Sequence, residues 1–115
     1  IAPNPEDAFE LEDAFVQKVT QIVAEHFADE DFGLPQLCQK TGLSRSQLFR
    51  KMKALMDTSP SDFIRSYRLN KAKILLETTR LNVSEVAWQT GYKNRGHFST
   101  AFQEEFGFPP SATSK

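Results

Sequence analysis

Apolar residues recur along the chain at steps of three and four, the spacing that sets them on one face of an α-helix. Leu11, Phe15, Val19, Ile22, Val23 and Phe27 form the first such face and predict an amphipathic helix running to about Ala28. Asn4-Pro5-Glu6-Asp7 offers that helix a capping side chain, a proline at the first helical position and acids beside the positive end of the dipole; a start nearer Glu10 fits equally well. After a turn at Asp29 to Gly33, Gly33 serves as the cap of a helix over roughly 34–41, with Pro35 tolerated in its first turn. Ser44-Arg45-Ser46-Gln47 is a capping box, in which the first and fourth side chains satisfy each other's backbone N–H; it opens a helix over 45–56 with Leu48, Met52 and Leu55 inward. Ser59-Pro60-Ser61-Asp62 caps what reads as the longest helix, to about Thr78 and roughly 28 Å long, with Phe63, Ile64, Tyr67, Leu69, Ala72, Leu75 and Leu76 as its apolar contacts. A second box, Asn82-Val83-Ser84-Glu85, opens a helix through about Gln89 that packs Val86, Ala87 and Trp88, the last large enough to anchor a core. Asn94 caps a helix over 95–106 with Phe98, Ala101, Phe102 and Phe106 inward, and Gly107 ends it. Pro109-Pro110 can start one last turn, and Ser111 to Lys115 are expected to fray. The expectation is an all-α fold of about seven helices.

The pattern repeats. Leu37, Cys38, Gly42 and Leu43 are echoed 49 residues later by Val86, Ala87, Gly91 and Tyr92, while Leu48 and Met52 are echoed 50 residues later by Phe98 and Phe102. Each unit has an apolar residue, a small one where two helices approach closely, a glycine free to take positive φ in the turn, and an apolar spine on the second helix. That is the pattern of a helix-turn-helix, whose second helix is the usual probe of the DNA major groove. The one-residue slip falls between glycine and spine, in a loop that can absorb an insertion. The long helix between the units, 60–78, reads as a rigid spacer joining a first helix-turn-helix, 34–56, to a second, 83–106.

Charge sharpens this reading. The formal net charge of −1 averages two opposite parts: residues 1–32 carry nine acids and Lys18 alone as a base, while residues 33–115 carry thirteen bases and six acids. A basic body is what contact with phosphate requires, and its densest stretch, Lys40 to Lys73, takes in most of the first helix-turn-helix. On the third helix Arg45, Ser46, Phe49, Arg50 and Lys53 stand off the inner stripe, exposed to DNA. The 115 residues suit one compact domain, divided as an acidic segment with helix 1 over 1–32 and a DNA-binding body over 33–115. The apolar runs are too short to cross a bilayer, no leader pattern is present, and one cysteine cannot form an internal disulfide, so a cytoplasmic setting without membrane contact is expected. Beginning at Ile1, the chain reads as a piece of a longer protein. No Gly-rich phosphate loop, nucleophile with a histidine partner, or metal-ligand spacing among Cys38, His26 and His97 stands out, so no enzyme activity, catalytic residue, metal or cofactor is expected.

The strings LSRSQLFRKMKALMDTSPSDFIRSYRLNKAKILLE and VSEVAWQTGYKNRGHFSTAFQEEFGFPPS resemble the DNA-binding domain of the AraC/XylS family of bacterial transcription regulators, over about residues 33–111. Helix 1 with FADEDFGLPQL is similar to the variant found at the C-terminus of hybrid two-component regulators. The resemblance implies a seven-helix, two-lobed fold with two helix-turn-helix subdomains, in which helices 3 and 6 enter successive major grooves. The base-facing positions it implies are Ser46, Phe49 and Arg50 on helix 3 and Arg95, Gly96, His97 and Thr100 on helix 6. Ser44, Arg45, Lys51, Lys53, Arg65, Lys93 and Asn94 are the groups expected at phosphate. Arg68 matches a position the family fills with arginine, and an ion pair with an acid such as Glu85 competes with a phosphate contact there. Departures from the family lie at Thr100 and Gln103, where a base is common, at Asp57, where a glycine is common, and at Thr113, where an aromatic usually closes the last helix. The implied partners are double-stranded DNA, RNA polymerase, and the receiver or kinase parts of a parent protein. A helical module that docks RNA polymerase or a receiver domain is the competing reading.

Overall fold

The computed structural model describes the backbone of residues 5–113 and the side chains of Leu11 to Thr113. The described elements are all helical: α1 (Pro5–His26), α2 (Leu34–Thr41), α3 (Arg45–Met56), α4 (Pro60–Thr78), α5 (Val83–Gln89), α6 (Arg95–Phe106) and a closing 3₁₀ turn, Pro110–Ala112. The expected seventh helix is thus this single turn, with Pro110 buried beneath it. The Asn4 cap lies outside the described residues, as do Ser114 and Lys115.

The boundaries follow from side chains that meet otherwise unpaired backbone N–H groups. Ser44 Oγ accepts from the Gln47 N–H at 3.2 Å and Gln47 Oε1 from the Ser44 N–H at 3.0 Å. Asn82 and Glu85 form the same reciprocal pair on α5. Ser59 caps α4 and Asn94 caps α6, while on α2 Gln36 Oε1 accepts from the Gly33 N–H at 2.9 Å. The extra residue of the second unit lies between turn and cap, since one residue separates Gly42 from Ser44 and two separate Gly91 from Asn94.

Two expectations about length are corrected. α1, with 22 residues, is longer than α4, with 19. It also stops at His26 rather than near Ala28, where the Asp29 N–H turns back to the His26 carbonyl at 3.0 Å and the chain leaves the helix.

Two cores form, and α4 belongs to both. Ile64 joins Phe15, Val19, Val23, Phe32, Leu37, Leu48 and Met52 in the first. Leu69, Ala72 and Leu76 join Val83, Val86, Ala87, Phe98 and Phe102 in the second. The result is an elongated body of 56 × 25 × 22 Å. Trp88 does not anchor the second core; it is 66% exposed. Val83, Val86, Ala87 and Thr90 already fill the inward stripe of α5, and Trp88 follows Ala87 by about 100° of helix rotation, which turns it out. Aromatic contacts take its place: Tyr92–Phe98, Phe98–Phe102 and Phe102–Phe106 have ring centroids 5.3, 5.7 and 4.6 Å apart.

Between the lobes lies a backbone-to-side-chain joint. Arg68 donates to three carbonyls of the α1–α2 loop, those of Phe27, Asp29 and Phe32, at 2.8–2.9 Å. Glu85, the expected partner, instead completes the α5 cap. Burial lowers the Arg68 pKa from its ordinary value, against the opposing pull of Tyr92, Asp29 and Glu30. Gly91, at φ 91°, sits so close to this joint that a Cβ would stand 2.5 Å from the Phe27 carbonyl oxygen and 2.7 Å from Arg68 Nε.

Candidate nucleic-acid interface

With Leu48 and Met52 buried, 100° of rotation per residue aims Ser46, Arg50 and Lys53 at the opposite side of α3. All three are exposed, and Phe49 beside them is 47% exposed. The Ser44 cap fixes where this face begins, and exposed Arg45 occupies the first helical position. Arg50 Nε rests on the Ser46 carbonyl at 3.4 Å, with the rest of its fork pointing away from the core. Lys51 is turned elsewhere: its Nζ lies 4.4 Å from the centroid of the Phe15 ring on α1.

The outer face of α3 opens onto a groove of about 570 Å³ lined by Leu34, Arg45, Ser46, Phe49, Arg50 and Ser59 to Ser61. Leu34 and Ser61 also line a second groove of about 300 Å³ that reaches Arg65, Arg68 and Tyr92. Arg65 and Tyr92 in turn line a third, of about 370 Å³, bounded by His97, Thr100 and Glu104. One continuous surface therefore runs from the outer side of α3, over the N-terminal half of α4, to α6.

On α6 the buried Phe98 and Phe102 turn Gly96, Thr100 and Gln103 outward, with His97 at the flank. The fifty-residue offset pairs Ser46 with Gly96, Arg50 with Thr100 and Lys53 with Gln103. Gln103 was not among the residues named from the sequence for this face, although the offset alone points to it. Where this outward face of α3 carries two cations, Arg50 and Lys53, the matching face of α6 carries none. Arg95, the cation nearest this face on α6, donates to Ser84 Oγ of α5 at 3.1 Å. Asn94 Oδ1 is committed to the His97 N–H at 3.0 Å.

Two cations expected at phosphate hold acids instead. Arg65 meets Glu104 at 2.6 Å, and this hydrogen bond raises the arginine pKa. Lys93 meets Glu30 at 3.4 Å and Asp31 at 3.9 Å. The Arg65–Glu104 pair is solvent-exposed and so worth about 0–1 kcal/mol, little enough for a phosphate to displace the carboxylate, whereas Glu30 is half-buried. Among the described residues no cluster of three or more His, Cys, Asp or Glu is placed to hold a metal. No described helix is long and apolar enough to cross a membrane.

Comparison with known proteins adds to this geometry. The family described as a helix-turn-helix domain matches residues 37–115. Histidine kinase P4 of Formosa agariphila is 35% identical over 111 residues, which is 96% of this chain and 8% of that protein. The HTH-type transcriptional activator RhaS of Escherichia coli and the HTH-type transcriptional regulator GbdR of Pseudomonas aeruginosa are 33% and 36% identical over 75% and 81% of this chain, which spans 31% and 26% of their length. Among solved structures, the C-terminal domain of the two-component response regulator yesN from Fusobacterium nucleatum superposes with a TM-score of 0.80 at 29% identity, covering 95% of this chain and 99% of that one. The DNA-binding domain of the global transcriptional factor AdpA, solved in complex with a target DNA, gives 0.75 at 26% identity over 83% of this chain and 87% of that one.

Proposed function

The chain belongs to the AraC-type helix-turn-helix family, and from that premise we propose that it binds duplex DNA sequence-specifically and so regulates transcription. The observation that carries this reading is the continuous surface linking the outer faces of α3 and α6. An α-helix fits the major groove of B-DNA, and successive grooves on one side of the duplex lie about 34 Å apart. α4, roughly 28 Å long at 1.5 Å per residue, is of the size to hold two probe helices at that separation. α3 is the stronger reader. The Arg50 fork can take O6 and N7 of guanine together, Ser46 and Phe49 flank it, and Ser44, Arg45 and Lys53 reach phosphate. On α6, Gly96, His97, Thr100 and Gln103 face the second groove, with Arg95, Lys93 and Asn94 beside them.

We further propose that residues 33–115 form the DNA-binding output part of a longer cytoplasmic two-component signalling protein, joined to the rest through the acidic segment 1–32. The similarity to a histidine kinase of much greater length and to the C-terminal domain of a response regulator supports this.

The test is binding to a duplex selected from a random pool, titrated with salt. Counterion release makes log K fall linearly with log salt, with a slope of about −0.9 per phosphate neutralised. Arg50→Ala should relax preference at one or two base positions, at about 1–3 kcal/mol of discrimination. Lys53→Ala should weaken all sequences alike and reduce the salt slope by about one. Unchanged sequence preference in Arg50→Ala would refute its assignment. No duplex binding even at low salt would favour docking of a protein such as RNA polymerase or a receiver domain by the same helices.

A further inference from the structure

Arg65 occupies a distinctive place. It lines both grooves that connect the two probe helices, so on the DNA-binding reading it faces the backbone segment between the two major grooves. Yet its guanidinium is already held by a carboxylate, Glu104 of α6, at 2.6 Å, with side chains 42% and 61% exposed. Its Nε–H is closed off from solvent and meets no acceptor among the described residues, so this pose leaves part of the fork unused. Among the described residues no carboxylate pairs with Arg45, Arg50 or Lys53 at the other end of the surface. The acid therefore sits at one end of the surface only, beside Thr100 and His97 on the lobe whose probe helix lacks an outward cation.

We infer that Glu104 competes with the DNA backbone for Arg65 and thereby limits the affinity of the second lobe, an inference that rests on the DNA-binding reading. An incoming duplex meets a cation already neutralised and a carboxylate that repels phosphate. Engagement requires Arg65 to leave Glu104 and take a phosphate oxygen. The exchange is feasible because the pair is exposed and an exposed pair is weak. The lobes do not come apart when it breaks, since the neighbouring Glu105 Oε1 accepts from Ser66 Oγ at 3.1 Å and Arg68 holds the joint independently. Glu104 thus acts as a brake on binding and not as a strut.

Fluorescence anisotropy with the selected duplex tests this on the wild type, Glu104→Gln, Arg65→Ala and the double variant. Glu77→Gln serves as a control for net charge, because Glu77 pairs with Lys73 near the far end of α4. Glu104→Gln keeps the side-chain size and should unfold at the wild-type temperature. It should tighten binding by about two- to five-fold at about 0.1 M salt, the range expected for freeing an exposed pair. In the Arg65→Ala background the same change should have little effect, the non-additivity expected of groups that act through each other. Equal affinity of Glu104→Gln and wild type would overturn the inference while leaving the DNA reading intact. Tightening that persists without Arg65, or is matched by Glu77→Gln, would overturn it as well. A wild type that binds no duplex would sink the DNA reading and this inference together.

Discussion

Replacing Gly91 with alanine probes the joint between the lobes. The substitution adds one methyl group, and two separate effects set its cost. At φ 91° an L-residue pays for a left-handed backbone, about 1–2 kcal/mol. The new Cβ would also stand 2.5 Å from the Phe27 carbonyl oxygen and 2.7 Å from Arg68 Nε, far inside the ~3.5 Å of ordinary contact. Neither neighbour can yield freely, because they are hydrogen-bonded to each other at 2.9 Å, and overpacking of this kind costs about 1–3 kcal/mol. The total is about 3 kcal/mol. Gly42 provides the comparison. It occupies the equivalent turn of the first unit at φ 73°, but nothing lies within 4 Å of its would-be Cβ, so alanine there should cost only the backbone share, about 1 kcal/mol. Equilibrium unfolding in urea measures both. With a slope of about 2 kcal/mol/M, Gly91→Ala should lower the midpoint by about 1.5 M and Gly42→Ala by about 0.5 M. Equal shifts for the two variants would refute the close contact as the reason for glycine at position 91.

Asp57 is the non-glycine residue with positive φ among the described residues, and it places a negative charge at the C-terminal end of α3. Asp57→Gly should raise stability by about 1 kcal/mol and Asp57→Asn by less, since asparagine relieves only the charge; thermal unfolding would expose the error if either variant melted lower. Trp88→Gln should change stability by no more than about 0.5 kcal/mol, as for an exposed site, against the roughly 3–5 kcal/mol lost when a buried tryptophan is truncated; a loss in the second range in urea unfolding would contradict its position. On DNA, base changes in the box facing α3 should be more damaging than those in the box facing α6, at about 1–3 kcal/mol per mismatched pair. An equal or reversed loss in competition binding would mean that His97, Thr100 and Gln103 read bases better than their lack of charge suggests.

The elements were legible where their determinants are local. Ser44 with Gln47, Asn82 with Glu85, and the caps Ser59 and Asn94 each act within three residues, and α2 to α6 begin and end where those signals put them. The outer face of α3 could be read for the same reason, because Leu48 and Met52 fix the rotation of the helix and leave Ser46, Arg50 and Lys53 opposite. What the sequence hid was decided by distant partners. The three loop carbonyls held by Arg68 lie 36 to 41 residues from it in the chain. Lys51 and Arg50 are adjacent in a basic run, yet Phe15 of α1 draws only the first of them aside. The size of Trp88 suggests a core anchor, but Val83, Val86, Ala87 and Thr90 already complete the inward stripe of α5 and leave it exposed. The partner of Arg65 lies 39 residues away on another helix, and no local pattern names it.

These distant contacts bear on how two unequal lobes can work as one reader. α4 contributes side chains to both cores, and Arg68 and Gly91 fasten its middle to the loop between α1 and α2, so the lobes cannot swing freely about the helix that joins them. On the DNA-binding reading, once α3 is seated, α6 is already held near its own groove, and its engagement becomes an intramolecular step at high effective concentration. A face of Gly96, Thr100 and Gln103 then needs little binding energy of its own to contribute. The same rigidity makes spacing part of the recognition, because boxes set apart by a different length of duplex present the second groove at a different angle as well as a different distance. Weak side-chain chemistry on α6 and a stiff joint are therefore complementary: the joint supplies the positional selectivity that the uncharged face of α6 does not.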